Sequence, residues 1–403
     1  MECKKIWTRE DRVPVFLVLL IGLHCALPVF GNETINTNAP APKRSMKEMM
    51  IDRTDGKLDL SEWLGTARGM LPVPVVITEP AVGVGGGLAL VFFHGSIRER
   101  AKQAKEKNPD GTPKRIAPPS MSGLVGLGTE NGTWGAGAFH LGIWKEDTLR
   151  YLGALGYASV NYDFYGLQDR PRPVTVEGAF MLQQLSFRLG KSNLFAGMNY
   201  KIFSATAKAD TPLPPPAGDG VEVRSGGASG ILEYDSRDNI FTPNRGLSSR
   251  VEWTHFDRWL GSDNQFDLLA LKNRYWVPFT ESLVLGVRGD GFFSGGDVPF
   301  YMLPFVQIRG IPAMRHQGKH VLVTEVELRW DFTRRWSLVG FAGAGWTGWD
   351  DFSDLGNSET YPAGGFGFRY LVARMFNLRM GIDIGFSEED SSIYFTTGTA
   401  WML

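Results

Sequence analysis

The sequence predicts an all-β fold: a transmembrane antiparallel β-barrel of about sixteen strands with a short N-terminal extension. Three observations carry this. From Leu71 onward, apolar residues recur with a period of two. The opposite face mixes glycine with Arg, Asp and Glu, which suits a polar lumen better than a water-facing sheet. Many segments reach the ~9–11 residues a tilted strand needs to cross a hydrocarbon layer.

Composition sets the bounds. The 403 residues hold 49 glycines, are 12% aromatic and 21% charged, and carry a net charge of -1. A disordered chain would be poorer in aromatics and more highly charged. Nucleic acid is not an expected partner, because duplex binding needs a basic excess. Residues 1–31 read as a signal peptide. Lys4, Lys5, Arg9 and Arg12 form the head, Val13 to Phe30 is free of formal charge, and Val29 and Gly31 suit a cut after Gly31. Pro14 and Pro28 shorten the helical part below the ~20 residues of a membrane span. Cys3 and Cys25 both lie in this segment. The expected mature chain then has no disulfide, thiol nucleophile or zinc-thiolate site. Pro80 to Ile97 also lacks formal charge, but its Gly83-Val-Gly-Gly-Gly centre holds a helix badly.

Residues 32–70 read as a polar extension, periplasmic or luminal. Pro40-Ala-Pro42 marks a linker, and Met46 to Met50 and Ser61 to Arg68 could form short helices. Asp52, Asp55 and Asp59 surround Gly56 but lack EF-hand spacing. A turn leading into a helix start at Ser61 accounts for them.

Residues 71–403 read as the barrel. In 376–386, Phe376, Leu378, Met380, Ile382, Ile384 and Phe386 alternate with Asn377, Arg379, Gly381, Asp383 and Gly385. In 320–330, Leu322, Val326, Leu328 and Trp330 share one face, and Val321, Val323, Glu325, Glu327 and Arg329 the other. The expected strands are 71–78, 83–95, 119–129, 133–145, 148–160, 175–190, 193–206 and 225–236. Then follow 246–258, 264–278, 281–294, 320–332, 335–346, 361–373, 376–386 and 391–402. An even count puts both chain ends on one side. The long connections 161–174, 207–224, 295–319 and 347–360 then all fall at the other end, as outer loops should. The basic link 96–118 is the exception, and a miscounted early strand pair would also explain it. Trp144, Tyr151, Trp253, Tyr275, Trp276, Trp330, Trp336, Trp346 and Trp401 lie near strand ends, where aromatic girdles sit.

Four places carry a resemblance. Ile308-Arg309-Gly310-Ile311 lies in the connection between the eleventh and twelfth strands. Glu327-Leu-Arg329 lies on the twelfth. Tyr234-Asp-Ser-Arg-Asp-Asn-Ile-Phe-Thr-Pro-Asn-Arg-Gly246 spans an inner turn. The chain ends Thr396-Thr-Gly398-Thr-Ala-Trp401-Met-Leu403. Together these resemble the bacterial surface antigen family of outer-membrane barrels, the BamA/TamA-like family. The resemblance implies that the sixth outer loop folds into the lumen. There Arg309, with Gly310, meets an acidic wall residue, with Glu327 the first choice and Glu325 the reserve. An Arg in a polar lumen needs a carboxylate, and its planar fork engages one bidentately. Ile311 stands where the family has an aromatic. Gly343 stands where the family often has an Asp on the thirteenth strand, so one usual Arg contact is missing. Asp235, Arg237, Asp238, Pro243 and Gly246 match the family's inner-turn motif, read as architectural. Gly398, Trp401 and Leu403 look like the terminal assembly signal. Family members that act as assembly machines carry POTRA modules, and residues 32–70 are too few for one. The expectation is a POTRA-less member.

No catalytic motif appears. His316 and His320 are four apart around Gly318, which is weak for a metal, and no nucleophile elbow, HExxH or Walker loop is present. The expectation is a non-enzyme without cofactor or metal. The resemblance implies an outer-membrane protein that aids insertion, translocation or export of protein or lipid. Its partners would be outer-membrane lipid, client barrel proteins or a periplasmic partner, and the assembly machinery during its own biogenesis. A passive or plugged pore is the alternative, and a soluble all-β exported protein the third reading.

Overall fold

The computed structural model describes residues 45–66, 69–79, 81–94, 120–164, 172–209, 221–239, 241–349, 354–388 and 390–401. The expected signal peptide, the link 96–118 and Leu403 lie outside them. Sixteen strands form one antiparallel sheet, and each is a neighbour in space of its neighbours in sequence.

The first eight are β1 (Gly69–Ile77), β2 (Gly85–His94), β3 (Ser120–Thr129), β4 (Trp134–Trp144), β5 (Leu149–Phe164), β6 (Arg172–Arg188), β7 (Leu194–Ala209) and β8 (Val221–Asp235). The second eight are β9 (Gly246–Phe256), β10 (Phe266–Pro278), β11 (Leu283–Gly296), β12 (His320–Trp330), β13 (Trp336–Gly348), β14 (Thr360–Ala373), β15 (Leu378–Ser387) and β16 (Ser391–Thr397). The expected count stands, and β2 pairs directly with β3, so no early pair is missing.

The two-residue period decides which side chains face in, because successive Cβ atoms point to opposite faces. On β12, Val326, Leu328 and Trp330 are exposed while Val323, Glu325, Glu327 and Arg329 are buried. On β11, Val287 is exposed and Arg288 and Asp290 are buried. Exposed apolar side chains ring the outside, among them Leu155, Met198, Val251, Phe366, Phe368 and Phe395.

Two expected outer loops are shorter than the sequence indicated. Strands β5 to β8 run on through Asn161–Phe164, Arg172–Val174, Ala207–Ala209 and Val221–Arg224. Packing explains the extension: Tyr162, Val174, Val176 and Ala207 join a buried apolar cluster with Phe305 and Met314 of the β11–β12 connection. Thr175 also donates to the Asn161 side chain across the ladder.

The sixteenth strand is shorter than the expected 391–402. β16 stops at Thr397, and residues 398–401 do not continue it. Gly398 has φ +80, in the left-handed region that glycine enters without strain. The chain turns inward there, and Trp401 is buried, not part of a girdle. Trp276, expected in the girdle, is buried beside it, with ring centres 6.0 Å apart. Trp144, Trp253, Tyr275, Trp330 and Trp336 are exposed as expected. Phe376, expected on the fifteenth strand, belongs to the short 3-10 turn Arg374–Phe376 and points into a buried cluster.

Every adjacent pair from β1–β2 to β15–β16 is joined by a ladder, with one register shift between Leu371 and Ala373 in β14–β15. Among the described residues, none joins β1 to β16, although the two strands touch. The barrel therefore has a seam.

Candidate functional site

The β11–β12 connection folds into the barrel and sets Arg309 against the inner face of β12 to β15. The Arg309 guanidinium donates from Nε and Nη2 to Glu325 Oε1, at 2.9 and 2.6 Å. Nη1 donates to Asp383 Oδ2 at 2.7 Å, and Nη2 pairs with Glu327 Oε2 at 2.8 Å. Its Cζ lies 3.6 Å over the Phe341 ring. A charge taken out of water needs such partners, and a planar fork can meet several at once.

The sequence named Glu327 first and Glu325 in reserve. Both reach Arg309, but Glu325 holds the fork. It is 1% exposed and also accepts from Arg288 Nη1 at 3.3 Å and Trp401 Nε1 at 2.7 Å. The contact expected to be missing at Gly343 is supplied from β15 by Asp383. Arg369 binds the same carboxylate, with Nη2 at 2.8 Å from Oδ2. Arg288 closes the network from above, donating to Asp290 Oδ2 at 2.8 Å and the Gln307 carbonyl at 2.9 Å.

Gly310 is required for backbone contact. Its φ is +103, and a Cβ there would lie 2.8–2.9 Å from backbone atoms of Phe386. On the wall, a Cβ at Gly385 would lie 2.7 Å from Gly310 N. Two glycines thus let loop and strand meet. Gly310 N also donates to Tyr394 Oη on β16 at 2.9 Å, so the loop touches the strand beside the seam. At the outer end, Ala313 N donates to Glu79 Oε1, in the β1–β2 connection, at 3.1 Å. Burial raises the Glu79 carboxyl to about 7, and nearby Asp390 adds to the shift.

The inner-turn residues bond within the turn and beyond it. Arg237 donates to both oxygens of Asp235 at 2.9 Å. Asp238 Oδ1 accepts from Asn244 N and Arg245 N at 3.0 and 3.2 Å. Gly246 opens β9 at φ +116. The Pro243 carbonyl accepts from Arg329 Nη1 of β12 at 3.2 Å. Asn239 donates to the Phe376 carbonyl at 2.9 Å, and Thr399 N donates to the Phe241 carbonyl at 2.6 Å. The turn thus reaches the β14–β15 turn and the C-terminal segment. Phe241, Leu60, Phe93 and Phe376 gather there into a small apolar floor.

The three aspartates of the extension found a partner that sequence could not supply. Helix α1 (Met46–Met49) and helix α2 (Ser61–Thr66) flank a small hairpin bridged at Ile51 and Leu58. Arg335, in the β12–β13 turn, donates to Asp52 at 2.5 Å, Asp55 at 2.8 Å and Asp59 at 2.7 Å. Arg374 pairs with Asp52 at 3.0 Å, and Leu60 N donates to the Val372 carbonyl at 2.6 Å. The segment that leads into β1 is therefore clasped to turns on the β12–β15 side, across the seam. Asp59 Oδ1 accepts from Ser61 N at 2.8 Å, the expected helix start. Among the described residues, no group of His, Cys, Asp and Glu has the arrangement of a metal site.

No protein-family model matches the sequence, and no curated protein matches it. Solved structures do match. BamA from Haemophilus ducreyi lacking POTRA domains 1–3 aligns at 13% identity and TM-score 0.54, covering 81% of this chain and 69% of that one. CdiB from Acinetobacter baumannii aligns at 9% identity and TM-score 0.54, covering 81% and 59%. CdiB from Escherichia coli aligns at 11% and 0.56, covering 81% and 61%. At these identities the likeness establishes the fold: this chain is a sixteen-stranded antiparallel barrel of the BamA type, the fold that its inner-turn and loop motifs led us to expect.

Proposed function

We propose that this chain is an integral outer-membrane barrel that helps insert, translocate or export protein or lipid by opening its seam sideways. One observation carries the reading. Fifteen adjacent strand pairs are laddered, and β1–β16 among the described residues is not. The seam strands suit this role. β1 contains Pro72 and Pro74, which have no N–H to give. Prolines in strands are tolerated where that missing donor lies outside the existing ladder, as on an edge strand. β16 has seven residues, against 15 to 17 in β5 to β8. An unpaired strand edge is a template for an incoming strand. The ring of exposed apolar side chains supports a lipid-facing wall, since so large a patch is unusual on a soluble monomer. Its partners are then outer-membrane lipid and client barrel proteins, and it is not an enzyme. Residues 1–31 act as its export signal.

Photo-crosslinkers placed in β1 and β16 test this. Capture of nascent barrel proteins at the seam supports it. Capture spread evenly around the wall, or none, refutes it.

A second reading is a plugged pore without insertase activity. It is favoured by the Arg309 loop filling the lumen and by the apolar floor at the inner mouth. Steady ionic conductance without client capture would establish it in place of the first.

A further inference from the structure

Two sets of lumen charges contrast. Around Arg309, the cations Arg288, Arg309 and Arg369 face Glu325, Glu327 and Asp383, each within ion-pair distance of a partner. The β7–β10 wall is different. Lys201, Arg250, Lys272 and Arg274 point inward there, and their acidic neighbours are already engaged. Glu252 is held by Lys201 at 2.9 Å and by Arg250 at 2.8 Å. Glu233 is held by Arg250 at 3.2 Å. Asp290 is held by Arg288 at 2.8 Å and meets Arg274 only at 3.4 Å.

Lys272 has no such partner. Its ladder neighbours are Arg250 on β9 and Asp290 on β11, and among the described residues no carboxylate comes within ion-pair distance of it. Its ammonium lies 5.8 Å from the Phe292 ring centre, and Glu252 and Asp290 act on it only from beyond ion-pair distance. Like charges directly opposite in a ladder are destabilising, so the Arg250–Lys272 pair calls for an anion. Arg274, two residues along on the same face, is 5% exposed, and its Nε has no hydrogen-bond partner. A buried guanidinium donor left unmade is costly. Lys272 itself keeps some exposure to the lumen, so a small solute can reach it.

We propose that Lys272 and Arg274 form an oxyanion site on the lumen wall, taking a phosphate or a carboxylate. A tetrahedral or planar oxyanion has the acceptors that the Lys272 ammonium and Arg274 Nε lack, and Arg274 Nε gives it a directional donor. The same chemistry arrives either as a free ion or as the acidic side chain of a peptide passing through the lumen. The site stands on the barrel alone and does not depend on the seam.

The full chain, folded in a neutral detergent, is acylated with a water-soluble amine reagent, and Lys272 modification is read by mass spectrometry. Inorganic phosphate at about ten times its Kd should slow acylation of Lys272 ~10-fold, by mass action. Chloride at equal ionic strength controls for screening. A glutamate-rich peptide replaces phosphate in a parallel arm. Protection by phosphate alone assigns a free oxyanion, and protection by the peptide assigns an acidic segment. A second readout is the phosphate-induced rise in melting temperature, which K272Q should abolish while remaining folded. Unchanged Lys272 acylation in both arms, or an unchanged shift in K272Q, overturns the proposal.

Discussion

Arg309→Ala removes the one guanidinium that, among the described residues, touches Glu325, Glu327 and Asp383 together. The loss is not total, because Glu325 keeps Arg288 and Trp401, and Asp383 keeps Arg369. Glu327 fares worst, since Arg309 is its ion-pair partner at 2.8 Å. Breaking a buried pair by removing one member costs about 3–5 kcal/mol. Arg309→Lys keeps the charge but loses the fork on Glu325 and the stack on Phe341, so it should cost about half as much. Glu327→Gln in the Ala background should recover about 1 kcal/mol by removing the stranded charge, a coupling readable in a double-mutant cycle. The assay is urea unfolding of the detergent-folded barrel followed by tryptophan fluorescence, with mobility on an unboiled gel as the control for folding. Trp401 sits on Glu325, so its emission also reports whether the network has loosened. A Arg309→Ala midpoint within ~0.5 kcal/mol of the parent, with unchanged emission, would show that the loop is held by its apolar contacts and not by this arginine.

Three other outcomes follow from the same contacts. Arg335→Ala should free the extension, read as faster tryptic cleavage at Arg53 and Lys57, and an unchanged rate would remove the clasp. The Arg335 hydrogen bond lowers Asp55 to about 2 from 3.8. A depressed acid contributes above its unfolded value and loses that contribution as pH falls, so cleavage of the parent within residues 45–66 by an acid-active protease should accelerate from about pH 4 toward pH 2. Glu79 works in the opposite sense. Burial raises it from 4.5 to about 7, with Asp390 adding and the Ala313 and Ala81 amides opposing. Its contribution is complete below about 4.5 and is lost as pH rises to about 7. Glu79→Gln should flatten the melting temperature across that interval, and an equally steep Gln variant would exclude Glu79 as the cause. Gly310→Ala meets the Phe386 backbone at 2.8 Å and sits at φ +103, so it should cost about 1–3 kcal/mol in the same urea assay; a neutral effect would mean the loop approaches the wall less closely.

Strand count and facing were legible because they rest on a local rule, the period of two. That rule places Glu325, Glu327 and Asp383 inward from sequence alone. Choosing among them required knowing where the loop descends, so Asp383, two strands beyond β13, could not be assigned to Arg309. The rule also separates Tyr275, facing out, from Trp276, facing in on the side of Lys272 and Arg274. Reading both as girdle residues used strand position and ignored facing. Trp401 is a different failure. It shares odd numbering with the exposed Ile393 and Phe395, and only the break at Gly398 sends it inward. The aspartate trio was visible as a cluster, yet its partner Arg335 lies some 280 residues away. Nothing in the local pattern points across that distance.

The two functional readings require different contacts to break. Passage along the axis means lifting a loop anchored by Arg309 to three buried carboxylates and by Ile308, Ile311 and Val306 in an apolar cluster. It also means displacing the Phe241–Phe376 floor and the Asn239 and Thr399 hydrogen bonds beneath it. Each buried ion pair and packed side chain adds kilocalories to that route. Passage through the seam breaks no described β1–β16 ladder. What ties the seam lies at its ends: the clasp on Arg335 at the inner mouth and the Glu79–Ala313 bond at the outer. These ties are few: one guanidinium shared by three carboxylates, and one amide hydrogen bond to a carboxyl whose burial disfavours its ionisation toward neutral pH. A double variant, Arg335→Ala with Glu79→Ala, removes both ties and leaves the lumen network intact. It should raise crosslinking of solvent-borne or client probes at β1 and β16 without raising conductance. A rise in conductance with the seam unchanged would reverse the ranking, because it would mean that these ties hold the plug and not the edge.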